Sequence, residues 1–277
     1  MIVESAPAKI NLALHVRHRR PDGYHELETL FVFAADGDTV TVVPDSADRF
    51  AITGPFAAAL AGGSDADNLV IRAAHAFRET FAIDRPHAIT LDKHLPIASG
   101  IGGGSADAAA TLRALAKLHA IAPDDPRLFV IAGALGADVP ACLLGRATLG
   151  TGKGEALLPV DGLAGMPLLL VNPGVAVSTA AVFARWDGED RGGIAADGDL
   201  LARALAGRND LQPPAVEIAP AIAGVLTLLD AADGVRLARM SGSGATCFAL
   251  FDTIEARDAA AARATSHGWW TLATALT

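Results

Sequence analysis

The chain has 277 residues, 51% of them hydrophobic and 19% charged, enough apolar material for one large core or two of ordinary size, which excludes global disorder. Its formal charge of −9, from 22 Lys and Arg against 31 Asp and Glu, comes without a long basic run. Non-specific nucleic-acid binding through a basic face is therefore excluded, and an anionic ligand would need local backbone N–H groups and a few placed cations.

Residues 7–19 alternate, with Ile10, Leu12 and Leu14 on one side and Lys9, Asn11 and Ala13 on the other, which predicts a half-buried strand. Arg20-Pro21-Asp22-Gly23 is a turn signal, and a second strand is expected through Leu27–Phe33. Thr39–Val43 and Phe50–Thr53 read as two further strands. Asp67 or Asn68 suits the cap of a helix running to about Phe81. Ala88–Leu91 reads as a strand feeding a glycine-rich turn, after which Ala108, Leu112, Leu115 and Ala116 give one apolar helix face. Asp124, Asp125 and Pro126 open another helix that ends at Gly136.

The Gly- and Pro-containing stretch Val160–Pro167 is the candidate boundary between domains spanning 1–160 and 161–277. Beyond it the pattern predicts a strand (Leu168–Val171), a helix, the segment Asn209–Pro213 leading into another helix, and a glycine loop with a strand over Ser241–Phe251. A helix to about Ser266 and a final strand follow. Mixed strands and helices in both halves point to an α+β fold. No apolar run approaches the ~18 residues a bilayer span needs, and the N-terminus has no basic-then-apolar signal pattern. Cys142 and Cys247 lack metal-ligand or disulfide spacing, so the expectation is a soluble cytoplasmic protein with two buried thiols.

The segment from Pro96 to Ala106, Pro-Ile-Ala-Ser-Gly-Ile-Gly-Gly-Gly-Ser-Ala, carries the main chemical signal. Successive glycines cost conformational entropy unless the backbone must approach something closely or take positive φ. At a helix start, unpaired N–H groups and the positive dipole end make an anion site, and Ser105 adds a hydroxyl in the first turn. Rival motifs fail: Gly152-Lys153 has Ala147 where a P-loop needs glycine, and Ser105 stands where a dinucleotide fingerprint needs glycine. The plain alternative is a tight strand–helix turn with no ligand.

Other candidates are weaker alone. Lys9 shares a strand face with Asn11 but could be merely solvated. Tyr24, the one tyrosine, stands beside His25 at a turn, where the pair could grip a base or simply be exposed. Asp138, between Gly136 and Val139-Pro140, suits a general base on a rigid loop, or a carboxylate capping the next helical turn. Ser241-Gly242-Ser243-Gly244 could be an ordinary turn or a second loop closing over a site.

Together these segments resemble the GHMP kinase superfamily. Three motifs match in order: Ala6–Leu12 (Ala-Pro-Ala-Lys-Ile-Asn-Leu), Pro96–Ala110, and Met240–Ala245 (Met-Ser-Gly-Ser-Gly-Ala). Asp22–His25, Asp67–Val70, Gly136–Pro140 and Asn209–Leu211 further resemble a branch that acts in non-mevalonate isoprenoid precursor biosynthesis. The resemblance implies an N-terminal domain like the second domain of ribosomal protein S5 and a ferredoxin-like C-terminal domain. It implies ATP with Mg²⁺, and a small-molecule substrate carrying a cytidine diphosphate group, with no nucleic-acid or membrane partner, in a monomer or homodimer. Lys9 and Asp138 would be catalytic, Lys9 orienting Asp138 or stabilising charge on the transferring group.

By the same resemblance, Pro96, Ile97, Ala98, Ser99, Gly100, Ile101, Gly102, Gly103, Gly104, Ser105 and Ala106 would hold ATP, with Asn68 near its adenine and Ser105 reaching the nucleotide's Mg²⁺. Asn11, Tyr24, His25, Thr179, Phe183, Gly242, Ser243 and Gly244 would contact the substrate, Tyr24 and His25 at its cytosine. Homoserine or mevalonate as acceptor would leave that aromatic pair without a base to hold. A catalytically silent relative would not need Lys9 and Asp138. Two departures stand out: Ile101 replaces a leucine, and Leu144 precedes Gly145 where relatives often carry a basic residue, with Arg146 two positions on.

Overall fold

A computed structural model describes residues 1–60 and 68–277. They fall into two compact units. The first comprises Met1–Ala8, Asp36–Ile97 and Gly102–Gly145, and the second Lys9–Ala35, Ala98–Ile101 and Arg146–Thr277.

Two long strands open the chain, β1 (Ile2–Arg19) and β2 (His25–Pro44), joined through a turn in which Gly23 takes φ +86°. The strands expected at 27–33 and 39–43 are one strand. Asp36-Gly37-Asp38, between them, stays extended, and Gly37 serves a close approach: a β carbon there would lie 2.1 Å from Ala6 O and 2.7 Å from Pro7 Cα. The half-buried reading of β1 also needs correction. Every residue from Ala8 to Val16 is buried, the polar side included, because hydrogen bonds satisfy Lys9 and Asn11 there.

In the first unit, the C-terminal part of β2 pairs antiparallel with β4 (His87–Asp92), and β4 pairs parallel with β3 (Arg49–Thr53). The short α1 (Ala57–Leu60) follows β3. Then come α2 (Leu69–Phe81), α3 (Gly103–Leu118), α4 (Pro126–Leu135) and α5 (Val139–Leu144). Asn68 caps α2 by accepting the Val70 N–H at 2.9 Å, while the other candidate cap, Asp67, lies outside the described residues. Asp125 caps α4 through the Arg127 N–H, with Pro126 in the first turn and Gly136 closing the helix, as the sequence predicts. Helix α3 packs on α2, α4 and α5, and Phe77, Leu112, Leu115, Leu128 and Val139 are all fully buried.

In the second unit, the N-terminal part of β2 pairs with β5 (Thr148–Gly152), which pairs with β6 (Ala156–Pro159). The chain then runs β7 (Pro167–Asn172), α6 (Thr179–Ala184), α7 (Leu200–Ala206), α8 (Gln212–Ile218), α9 (Ala221–Asp230), β8 (Val235–Met240), β9 (Cys247–Phe251), α10 (Ile254–Ser266) and β10 (Trp270–Ala275). These last four strands form an antiparallel sheet in the order β10-β7-β9-β8, with helices returning the chain after β7 and after β9. That is the ferredoxin-like arrangement expected for this half. Its core gathers Val171, Cys247 and Phe251 with Ile222, Val225 and Leu229, and takes in Leu14 and Val16 of β1. Both cysteines are buried as thiols, and burial raises the Cys247 pKa. Among the described residues no helix is long and apolar enough to cross a membrane.

The close approach at Gly37 gives a direct check. Gly37→Ala should cost about 3 kcal/mol of stability, because the opposing atoms are backbone and cannot swing aside. A urea midpoint indistinguishable from that of the unaltered chain would show that β1 and β2 can separate there without cost.

Candidate active site

The glycine-rich segment is divided between the units. Pro96, Ile97 and Gly102–Ala106 belong to the first, and Ala98–Ile101 to the second. In the first, Gly102 is the N-cap of α3 at φ +64°, a left-handed conformation that suits glycine, and it has no side chain to satisfy the N–H groups of the first turn. Gly103, Gly104 and Ser105 therefore begin a sixteen-residue helix with an uncapped positive end. Of the three successive glycines only Gly102 needs positive φ. Gly103 instead makes room: a β carbon would sit 3.1 Å from Lys93 Nζ. Ile101 is fully buried, so its branching is a matter of packing.

Beneath that turn lies a cluster the sequence did not reveal. Lys93 Nζ donates at 2.6 Å to Asp38 Oδ2 and at 2.6 Å to Asp107 Oδ2, and all three residues are buried. Asp38 Oδ1 accepts the His94 and Leu95 N–H groups as well. Burial, only partly offset by Lys93, pushes the Asp107 carboxyl up to about 7, and the two carboxylates hold the Lys93 pKa above its usual value against the pull of burial. The one signal in sequence was that Asp107 precedes Ala110, Thr111 and Ala114 at helical spacing, so a carboxylate falls on a stripe of small buried residues.

Asp138 stands at the N-cap position of α5, but its own backbone is helical and its side chain makes no capping hydrogen bond, which removes the capping alternative. The main chain around it is held by the Val139 N–H to Gly136 O and the Cys142 N–H to Asp138 O bonds. Arg113 of α3 secures the same short helix, donating to Cys142 O at 2.8 Å and to Ser5 O at 2.7 Å. Leu144 ends α5, Gly145 caps it at φ +62°, and Arg146 is exposed.

In the second unit Lys9 is 3% exposed, donates to Asn11 Oδ1 at 2.8 Å, and lies 4.9 Å from the centre of the Phe31 ring. Asn11 Nδ2 donates to Thr29 Oγ1, whose hydroxyl donates to Ala13 O, so the polar side of β1 forms a satisfied buried chain. The Lys9 N–H donates to Ile101 O at 2.9 Å. Ser241 Oγ accepts the Asn11 N–H and donates to Gly100 O, and the Thr246 N–H donates to Ser99 O. The loop carrying Gly242, Ser243 and Gly244 is thus no isolated turn, because it abuts Ser99 and Gly100. A β carbon on Gly242 would be 2.7 Å from Gly100 O. Asn209 Nδ2 secures the loop by donating to Met240 O and Gly242 O, both at 2.8 Å.

Thr179, first in α6, shares a hydrogen bond with Ser243 at 2.8 Å. One turn on, the Phe183 ring stacks on His25 at 4.8 Å and 24°, with Trp186 edge-on to His25 at 5.6 Å. Burial, helped by the nearby Arg19 charge, lowers the His25 pKa, so the imidazole is neutral at pH 7. Tyr24, next to His25 in the chain, is 56% exposed, with Lys153 Nζ 4.6 Å from its ring centre. Sequence reasoning named His25 and Phe183 but missed Trp186 and Lys153, which no local pattern marks.

The GHMP kinases N terminal domain matches residues 68–146 and the GHMP kinases C terminal domain residues 193–268. The chain is 56% identical, over 99% of its length and 94% of the relative's, to the 4-diphosphocytidyl-2-C-methyl-D-erythritol kinase of Rhizorhabdus wittichii. It is 51% identical to the protein of that name from Sphingopyxis alaskensis, covering 99% and 98%. A crystal structure of 4-(cytidine 5'-diphospho)-2C-methyl-D-erythritol kinase superposes with a TM-score of 0.84 at 35% identity, covering 99% of both chains. A homoserine kinase from Cytophaga hutchinsonii shares the fold, with a TM-score of 0.72 at 19% identity, covering 99% of this chain and 93% of that one.

The raised Asp107 pKa has a thermodynamic consequence. Because the folded value lies above the unfolded one, this group's contribution to stability is complete below about 4 and is lost as pH rises to about 7. Asp107→Asn does not titrate, so its stability relative to the unaltered chain should improve across that window. Thermal midpoints of both proteins at a series of pH values would check this, and a constant difference would place the Asp107 carboxyl at its ordinary value.

Proposed function

The chain belongs to the GHMP kinase family, and from that premise we propose that it transfers the γ-phosphoryl group of ATP to the 2-hydroxyl of 4-diphosphocytidyl-2-C-methyl-D-erythritol. The products are the 2-phosphate and ADP, in non-mevalonate isoprenoid precursor biosynthesis in the cytoplasm. The observation that carries the reading is the whole-length match to relatives bearing that kinase name. Residues 1–160 form the kinase domain in this reading, and 161–277 the ferredoxin-like one.

Each role rests on a local feature. The first-turn amides of α3 take the nucleotide's phosphates, and the segment Pro96–Ala106 wraps them; the uncapped Gly102 supports this. Asn68 lies near the adenine. Asp138 accepts the proton of the attacking hydroxyl, and Lys9 stabilises the charge that develops on the transferring group. Phosphoryl transfer of this kind needs positioning and electrostatics and no covalent enzyme intermediate. Mg²⁺ travelling with the nucleotide neutralises part of its charge. The Ser105 hydroxyl, in the first turn of α3, would be the protein's contact to that ion.

The cytosine end is read by His25, Tyr24 and Phe183. A neutral imidazole already stacked on a phenyl ring offers both a π face and hydrogen-bonding nitrogens. Asn11, Thr179, Gly242, Ser243 and Gly244 hold the remainder of the substrate. Homoserine and mevalonate have nothing to place against such rings.

An ADP-release assay over an acceptor panel tests the assignment directly. Turnover is expected with the cytidine diphosphate compound and not with homoserine or mevalonate; the reverse would leave the fold and remove the substrate. Asp138→Asn and Lys9→Met should each lower kcat by about 10²–10⁴ with little change in ATP affinity. Phe183→Ala should raise KM for the cytidine acceptor about tenfold or more while sparing KM for ATP. An equal effect on both KM values would move Phe183 out of the base site.

A further inference from the structure

The buried cluster beneath α3 has no part in the chemistry just described, yet it touches the element on which that chemistry depends. Three ionisable groups, Asp38 at 1% exposure and Lys93 and Asp107 each at 3%, are held out of water within one unit. Taking charges out of water is costly, and well-packed apolar side chains often do as well for stability, so a cluster of this kind calls for a reason beyond holding the fold together.

Its connections supply one. Asp38 comes from β2, Lys93 follows the last residue of β4, and Asp107 lies in the second turn of α3. Asp38 also takes the N–H groups of His94 and Leu95, the two residues directly before Pro96, where the glycine-rich segment begins. On the other side of that segment, the first residue of α3 rests on the ammonium itself. A β carbon on Gly103 would lie 3.1 Å from Lys93 Nζ and 3.8 Å from Asp38 Oδ2. Both Pro96 and Gly103 are therefore referred to one ammonium group.

We propose that Lys93 is a positioning residue for nucleotide binding: gripped by Asp38 and Asp107, its ammonium sets the height of the first turn of α3 and so the placement of the amides that hold the phosphates. This rests on the reading of that turn as the ATP site. A charge effect is the rival account. Two carboxylates share one ammonium, and Asp107 Oδ1 finds no hydrogen-bond partner among the described residues. If net charge were what mattered, removing the Asp107 charge would tighten ATP binding; if the tether matters, loosening it weakens binding.

The experiment is ATP titration calorimetry on purified full-length variants, with KM for ATP and for the cytidine acceptor measured alongside. Lys93→Met should weaken ATP binding about tenfold or more and raise KM for ATP while leaving KM for the acceptor unchanged. Asp107→Asn keeps a hydrogen bond to Lys93 and so keeps the fold if Lys93→Met does not. It should weaken ATP binding by a few-fold. Gly103→Ala pushes a methyl against Nζ and should cost about tenfold in the unaltered chain, but little once Lys93→Met and Asp107→Asn have removed the ammonium and its partner charge.

An equal Gly103→Ala penalty in both backgrounds, tighter ATP binding by Asp107→Asn, or a lowered thermal midpoint with unchanged ATP affinity would each overturn the proposal. Failure of the unaltered chain to bind ATP would instead overturn the reading of the turn on which it rests, and the two failures are told apart by that first titration.

Discussion

One buried hydroxyl organises the second unit. Ser241 Oγ accepts the Asn11 N–H and donates to Gly100 O, and so holds together three stretches that lie far apart in the chain. The Lys9 N–H to Ile101 O and Thr246 N–H to Ser99 O bonds run on either side of it. Backbones this close leave no room for side chains: a β carbon on Gly100 would be 2.4 Å from Ser241 O. Each such bond contributes only about 1 kcal/mol, but a buried group left without its partner costs more, so the arrangement is fixed by what breaking it would expose. Lys9 owes its position to this junction, through both its own N–H and the side chain of Asn11.

The same reasoning explains why so much polarity is buried nearby. Arg239, two residues before Ser241, places its guanidinium against the carbonyls of Leu12, Ala204 and Gly207. Burial lowers its pKa to about 10, which still leaves it charged at neutral pH. Asn209 ties down the next two carbonyls, those of Met240 and Gly242. Five backbone oxygens of β1, α7 with the residue that follows it, the end of β8 and the glycine loop are thereby bound by two side chains. A loop satisfied in this way has little freedom to rearrange when a ligand arrives, which is what a site that works by positioning requires.

The parts of this structure that were legible in sequence are those whose cause is local. Caps at Asn68 and Asp125, the helix after Gly102, and the last helix and strand of the chain follow from propensity, period and turn chemistry within a few positions, whereas β8 and two of the four helices between β7 and β8 were not expected. What escaped has a distant cause. Gly37 falls between two expected strands and is a contact with Ala6 within one continuous strand. Strands β5 and β6 are short, and exist because β2 offers an edge to β5, which in turn pairs with β6. Lys93 reads as a surface lysine and Asp38 as part of a loop, because nothing within either neighbourhood mentions the other. Around the candidate site, Trp186 and Lys153, which lie beside His25 and Tyr24, carry no local signal in the sequence.

The net charge sharpens what kind of anion site this can be. A chain of charge −9 repels a nucleotide at long range, yet at physiological ionic strength charges beyond about 8 Å are largely screened. Many of its surface carboxylates are also answered locally: Asp187 lies 2.5 Å from Arg191, and Arg17 pairs with both Glu28 and Asp190. At contact distance the proposed site offers a helix end with no side-chain cap, whose donors are fixed in direction and need no mobile cation to supply them. A basic patch would attract phosphates from afar but hold them loosely, since flexible ammonium groups impose little geometry. Amides anchored to a buried ion cluster do the reverse, giving up long-range attraction and gaining alignment, and alignment is the quantity on which transfer of a phosphoryl group depends.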